Sequence, residues 1–378
     1  MLTPRRSTVA RAVSLATVPL VTASLSAVPA ADAVSPADAS LKGAAPVGAP
    51  RQPPAVGAEP EVLCTLDDDR LDEVSGLAVD GATRYVVNDG GTRVEVFALG
   101  EDCQVREVLR HPTDPYDVEA LAVGPDGTVW LGDTGDNRSR RETVALHAVT
   151  PGGEATLYRL TYPDGPHDAE ALIVDGSGVP YVITKDVLGD AGVYRPTGEL
   201  TSPGPTPLER VGGLSYTATD TPGGPLGSIG SLAVTGAALS ADGSVLAVRT
   251  YTDAYLYPVP DGDVVAALDR RPARIALPGE DQGEAVAFAP DGALLSVSEG
   301  VGSPLRSVAG AVDVVDGPGA ADGAETAPQA PADAAEDTAG DGEGSGDSGA
   351  GLDTLPGIAV AVALAAVLVI GAGRLRRR

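Results

Sequence analysis

Through the middle of the chain, short apolar or alternating runs come in pairs, and the polar positions between them fall in turn-forming clusters. Ser75-Gly-Leu-Ala-Val precedes Tyr85-Val-Val-Asn-Asp89, and Glu119-Ala-Leu-Ala-Val precedes Trp130-Leu-Gly-Asp133. Glu170-Ala-Leu-Ile-Val precedes Tyr181-Val-Ile-Thr184, Thr235-Gly-Ala-Ala-Leu precedes Leu246-Ala-Val-Arg249, and Glu284-Ala-Val-Ala-Phe precedes Leu295-Ser-Val-Ser298. In each copy the second run ends 14 positions after the first begins (75 to 89, 119 to 133, 170 to 184, 235 to 249, 284 to 298). Asp126-Gly127, Gly176-Ser177-Gly178, Asp242-Gly243 and Asp291-Gly292 lie between the runs, where hairpin turns need residues that tolerate positive φ.

Further runs follow, such as Val94–Phe97, Val144–Val149 and Tyr255–Tyr257, and Thr156–Leu160 reads as a fourth strand. Antiparallel strands repeating in this way, with no helical period between them, predict an all-β protein with the β-propeller architecture. The first-strand positions are 44, 51, 65 and 49 residues apart. The longest interval holds Pro203, Pro205, Pro207, Pro222 and Pro225 and reads as an enlarged loop, which favours five blades; six follow if that segment hides a degenerate copy. Glu61–Leu66 is a strand-like piece before the first copy, and little chain remains after Leu305–Val308, so the N-terminal strand is expected to complete the last blade. A Cys64–Cys103 disulfide, the one pairing two cysteines allow, would pin that closing strand to the first blade.

Composition changes the picture mainly at the ends. Residues 1–33 combine Arg5 and Arg6, an apolar stretch and a small-residue finish, the pattern of a signal peptide. Residues 34–60 are an Ala/Pro-rich linker, 61–309 the propeller ectodomain, and 310–354 an acidic stretch without Lys or Arg that is expected to be a disordered stalk. Residues 355–373 are long and apolar enough for a single transmembrane helix, followed by the basic tail 374–378, so the C-terminus is expected in the cytoplasm and the propeller outside. The net charge of −27 argues against nucleic acid as a partner.

Candidate chemistry follows from the repeat. The first strand of a propeller blade lines the central channel, and alternate residues share a face. One column holds Ser75, Glu119, Glu170, Thr235 and Glu284; two residues earlier lie Glu73, Asp117, Asp168, Ala233 and Gln282. Like charges at one channel mouth repel unless hydrogen-bonded, hydrated or bound to a cation, and Ca²⁺ or another divalent ion suits such oxygen donors. Asp117, Glu119, Asp168, Glu170 and Glu284 are therefore the candidate metal ligands, against the alternative that each acid caps a neighbouring backbone. The loops after the second strands supply candidate ligand-binding residues: Asp89, Asp133, Asp136, Asn137, Arg138, Lys185, Arg249 and Glu299. No Gly-x-Ser-x-Gly elbow occurs, and His111, His147 and His167 read as loop or third-strand residues.

Glu119-Ala-Leu-Ala-Val with Asp126-Gly127 and Trp130, and the parallel signatures at Glu170 and Glu284, resemble the secreted bacterial propellers of the phytase-like ("esterase-like activity of phytase") group. More distantly they resemble gluconolactonase and NHL-type propellers. The resemblance implies a propeller over about residues 61–309, with a divalent metal held by a glutamate corresponding to Glu119, Glu170 or Glu284; a complete ligand set and a catalytic Asp do not match. The expectation is a membrane-anchored, extracellular binding or scaffold module for an unidentified ligand or protein. The alternative is a metal-dependent hydrolase of phosphoesters or lactones using the channel carboxylates.

Overall fold

The computed structural model describes residues 55–225 and 227–316. The expected signal peptide, most of the Ala/Pro linker, the acidic stretch beyond 316, the transmembrane helix and the basic tail lie outside the described residues. Among the described residues no helix is long and apolar enough to cross a membrane.

The strands fall into sets of four. β1 (Glu61–Leu66) precedes the first set, which is β2 (Val74–Asp80), β3 (Thr83–Asn88), β4 (Val94–Leu99) and β5 (Val105–His111). The second is β6 (Val118–Val123), β7 (Val129–Asp133), β8 (Val144–Val149) and β9 (Ala155–Thr161). The third is β10 (Ala169–Val174), β11 (Pro180–Thr184), β12 (Asp190–Pro196) and β13 (Thr206–Ser215). The fourth is β14 (Val234–Leu239), β15 (Val245–Thr250), β16 (Asp253–Pro258) and β17 (Ala273–Ala276), and the last β18 (Gly283–Phe288), β19 (Leu294–Ser298) and β20 (Ser303–Val308).

Each set is an antiparallel meander in chain order, and β1 pairs antiparallel with the outer edge of β20, supplying the fourth strand of the last sheet. The second and third sheets also touch through a short parallel pairing of β9 with β13. Around the inside, β2 packs against β6, β6 against β10, β10 against β14, β14 against β18, and β18 against β2. This closed succession of four-stranded meanders is a β-propeller.

The inner strands are apolar on both faces because each sheet is sandwiched between two others. Val248 and Tyr255 from the fourth sheet share a core with Ile173 and Val193 from the third, while Leu131 and Val129 from the second pack with Val87 and Val96 from the first. Continuous runs such as Tyr181-Val-Ile-Thr184 follow from burial on both sides. The Pro-rich interval between the third and fourth first strands contains β12, β13 and a 3₁₀ helix (Gly227–Leu232), so its strands belong to the third sheet. At the C-terminal side the chain continues past residue 309 as a 3₁₀ helix, Ala311–Asp316, whose Ala311 and Val315 are buried against Leu256, Ile275 and Phe288.

The Cys64–Cys103 disulfide is formed. It ties β1, the closing strand, to the loop between β4 and β5 of the first sheet.

Candidate metal centre at the channel mouth

Every first strand is interrupted at the same place. The register of β2 on β3 shifts between Val74 and Gly76, that of β6 on β7 between Val118 and Ala120, and that of β10 on β11 between Ala169 and Ala171. The shifts in β14 and β18 fall between Val234 and Gly236 and between Gly283 and Ala285. The skipped residues are Ser75, Glu119, Glu170, Thr235 and Glu284, the column read from the sequence. A bulge leaves one residue out of the ladder and re-aims its side chain.

What the re-aimed side chain does depends on its chemistry. Ser75 Oγ donates to the carbonyl of Val118 at 3.0 Å and Thr235 Oγ1 donates to that of Gly283 at 2.8 Å, each locking its strand to the next sheet. Glu119, Glu170 and Glu284 are buried and line a cavity of about 30 Å³ with Glu73, Asp89, Asn137, Lys185, Tyr251, Gln282 and Glu299. At roughly 10–15 Å³ for each water a cavity can hold, that volume has room for an ion with a water or two and not for an organic molecule. A larger hollow of about 220 Å³ shares Glu73 and Asp89 with it and has Phe97, Val118 and Leu131 in its walls.

Two halves of the mouth differ. On one side a carboxylate oxygen from each of Asp89, Asp117 and Glu119 lies within 4.8 Å of the others. Oxygens bound to one Ca²⁺ at about 2.3–2.6 Å can be at most about 5 Å apart, so this spacing fits a common hard cation. The Gly135 backbone crosses this cluster so closely that a Cβ there would lie 2.6 Å from Asp117 Oδ2 and 2.8 Å from Glu119 Cγ.

On the other side the ammonium of Lys185, almost fully buried, donates to Glu170 Oε1 at 2.5 Å and to the Tyr251 hydroxyl at 2.7 Å. Gln282 Nε2 donates to Glu284 Oε1 at 2.9 Å. Glu170 Oε2 is buried without a hydrogen-bond partner among the described residues.

Burial pushes the Glu119 carboxyl well above the usual range, and the charges of Asp89, Glu170, Asp117 and Asp168 add to the rise. Burial also raises Glu170 and Glu284, against the opposing pull of Lys185 in both and of the Gln282 hydrogen bond in Glu284. Burial alone would lower Lys185; Glu170, Tyr251, Glu284 and Asp168 outweigh it, and the ammonium stays charged. A divalent cation would relieve the repulsion that otherwise keeps protons on these acids.

The other sequence candidates take different places. Asp168 accepts the N–H of Asp136 at 2.7 Å, and Asp136, itself buried, receives the N–H groups of Arg140 and Arg141. Asp133 is buried under Arg141 (2.9 Å) and His147 (3.3 Å) and accepts the N–H groups of Tyr116 and Asp117. Burial alone would raise its pKa, but these donors hold it at about 2. Arg138 is exposed. Arg249, read as a rim residue, is fully buried: it pairs with Glu280 at 2.9 Å and donates to the carbonyls of Thr250, Tyr251 and Ala285. His167 bonds Asp164 and meets Tyr194 and Tyr162, away from the cavity lining.

Tyr251, Arg141 and Glu280 were not singled out as functional residues in the sequence. Tyr251 alone carried a signal, as an aromatic side chain in the loop after the fourth copy.

No protein-family model matches the chain, and no curated protein matches it. Among solved structures it is similar to a gluconolactonase from Xanthomonas campestris, with 18% identity over 69% of this chain and 88% of that one, at a TM-score of 0.37. It is similar to virginiamycin B lyase from Staphylococcus aureus, with 15% identity over 64% and 67% of the two chains and a TM-score of 0.34. For the PQQ-bound aldose sugar dehydrogenase from Streptomyces coelicolor the values are 14%, 68% and 99%, and 0.37. At such TM-scores no activity follows for this chain.

Proposed function

We propose that this chain is a five-bladed propeller that binds a divalent cation, Ca²⁺ in the first instance, at its channel mouth and acts as a metal-dependent hydrolase of the phosphoester or lactone class. The observation that carries the reading is the convergence of Asp89, Asp117 and Glu119 oxygens beside a cavity of ionic size, into which buried Glu119, Glu170 and Glu284 also face. The phytase-like resemblance of the Glu-Ala-Leu-Ala-Val copies belongs to the same proposal.

Asp89, Asp117 and Glu119 would hold the ion, with Asn137 at the same cavity. A bound divalent ion supplies a Lewis acid for a carbonyl or phosphoryl oxygen and lowers the pKa of water. The substrate body would lie in the adjoining hollow of about 220 Å³, with its reacting group toward Asp89. Glu170 is oriented by Lys185 through Oε1, leaving Oε2 to accept a proton as general base. Lys185 would contribute a fixed positive charge beside Glu170 at the same cavity.

The test uses Glu119→Gln with Glu170→Gln. Wild type should gain a Ca²⁺-dependent rise in thermal midpoint and hydrolyse model phosphoesters or lactones in a chelator-sensitive way; the double variant should lose both. Unchanged hydrolysis in the double variant overturns the catalytic reading.

The small volume of the channel cavity favours a second reading, an extracellular binding or scaffold module in which the cation is structural. Calcium-dependent stability without turnover would select it. In either case we propose that residues 1–33 direct export and that 355–373 anchor the chain with the propeller outside. Protease digestion of intact cells should then release the propeller.

A further inference from the structure

A separate polar hollow of about 200 Å³ borders β7, β8, β9 and the loop between β5 and β6, and shares no lining residue with the channel cavity. It falls below the roughly 300 Å³ of pockets for drug-sized molecules. Its walls carry two arginines, Arg141 and Arg159, in a chain whose net charge is −27.

Arg141 is held in one orientation. Its Nη2 donates to Asp133 Oδ1 at 2.9 Å, its Nη1 donates to the carbonyl of Gly135 at 2.8 Å, and its guanidinium lies 4.7 Å from the centre of the Tyr116 ring. These contacts engage two of its five N–H groups. The charge of Asp133 is matched inside the wall by Arg141, His147 and two backbone N–H groups. Arg159, exposed on β9, enters no ion pair among the described residues. The remaining acid, Asp114, is exposed and disfavours a ligand with several negative charges. Beside Arg159 the lining is apolar: Ala145 is its cross-strand neighbour on β8, and Leu157 lies two residues before it on the same face of β9.

We propose that this hollow binds a small monocarboxylate, its carboxylate held by Arg141 and Arg159 and its short alkyl chain against Ala145 and Leu157. A guanidinium fork matches a carboxylate through two parallel hydrogen bonds, and the volume admits only a short chain. Nothing in this inference depends on the channel cation.

The experiment titrates butyrate, and separately acetate, into the full-length chain with chelator present, followed by calorimetry and by thermal midpoint against equal concentrations of sodium chloride. Saturable binding is expected, tighter for butyrate than for acetate. Arg159→Ala should weaken it about tenfold, the size of one lost charge-assisted hydrogen bond, without changing the midpoint in the absence of butyrate. Arg159→Lys, which keeps the charge and loses the fork, should fall between the two and serves as the folded control. Equal shifts with butyrate and chloride, or wild-type binding by Arg159→Ala, would overturn the proposal.

Discussion

Ser75 and Thr235 differ from Glu119, Glu170 and Glu284 in reach: a hydroxyl carried directly on Cβ lies beside the neighbouring strand's carbonyl and donates to it, whereas a glutamate carries its carboxyl two carbons further out, past the backbone. At the same bulge, the hydroxyl therefore closes onto the next strand, whereas the glutamate is left facing the channel. The channel acids were legible in the sequence as a repeated column. Their partners were not, because Lys185 meets Tyr251 only when residues 66 apart in sequence are brought together by the ring.

The raised pKa values of Glu119, Glu170 and Glu284 give a pH dependence with a definite sign. In cation-free protein these groups keep protons that the unfolded chain releases above its ordinary value of 4.5. Their contribution is fully present below that value and is lost as pH rises through the higher folded values. The thermal midpoint in chelator should therefore fall from pH 4.5 toward neutrality, and Glu119→Gln should flatten the fall. Saturating Ca²⁺ should oppose it, adding about 2.7 kcal/mol at 100 times Kd. A chelated midpoint equally pH-dependent in wild type and Glu119→Gln would contradict this account.

At the level of the strand, the residue after each bulge follows the same division. It is Gly76 or Gly236 after the hydroxyls and Ala120, Ala171 or Ala285 after the glutamates. The glycines leave no room for a Cβ against the neighbouring inner strand: one at 236 would lie 2.6 Å from the carbonyl oxygen of Glu284, and one at 76 would lie 2.9 Å from the amide nitrogen of Leu121. Gly236→Ala should destabilise the fold by roughly 1–3 kcal/mol, the usual cost of overpacking, measured by denaturant unfolding. Because the nearest atom belongs to Glu284, the same change should weaken the response to calcium. The hairpins and their turns were legible from alternation and Asp-Gly pairs. The bulges were not, since a one-residue register shift leaves no mark in residue type when every neighbouring position is apolar.

For the whole molecule, closure depends on a strand that is first in sequence and last in space. β1 pairs with β20, and the disulfide ties it to the first sheet across 39 residues of sequence. For a loop of that length, chain-entropy reasoning assigns the bridge about 4 kcal/mol. Cys64→Ser with Cys103→Ser should show a loss approaching that size in equilibrium unfolding, with the ring still closed by β1 pairing; an unchanged midpoint would mean that the bridge does not constrain the unfolded chain.

The repeat period, hairpin turns and paired cysteines together determined the all-β class, the closing strand and the column of acids, because strand alternation and turn chemistry are local properties. Tertiary structure decided which acids share a cavity, why Arg249 is buried with Glu280 instead of facing a ligand, and how Arg141 became a wall of a second hollow. Those outcomes depend on distances between sheets, and burial changes the energy of a charge only after the sheets have met.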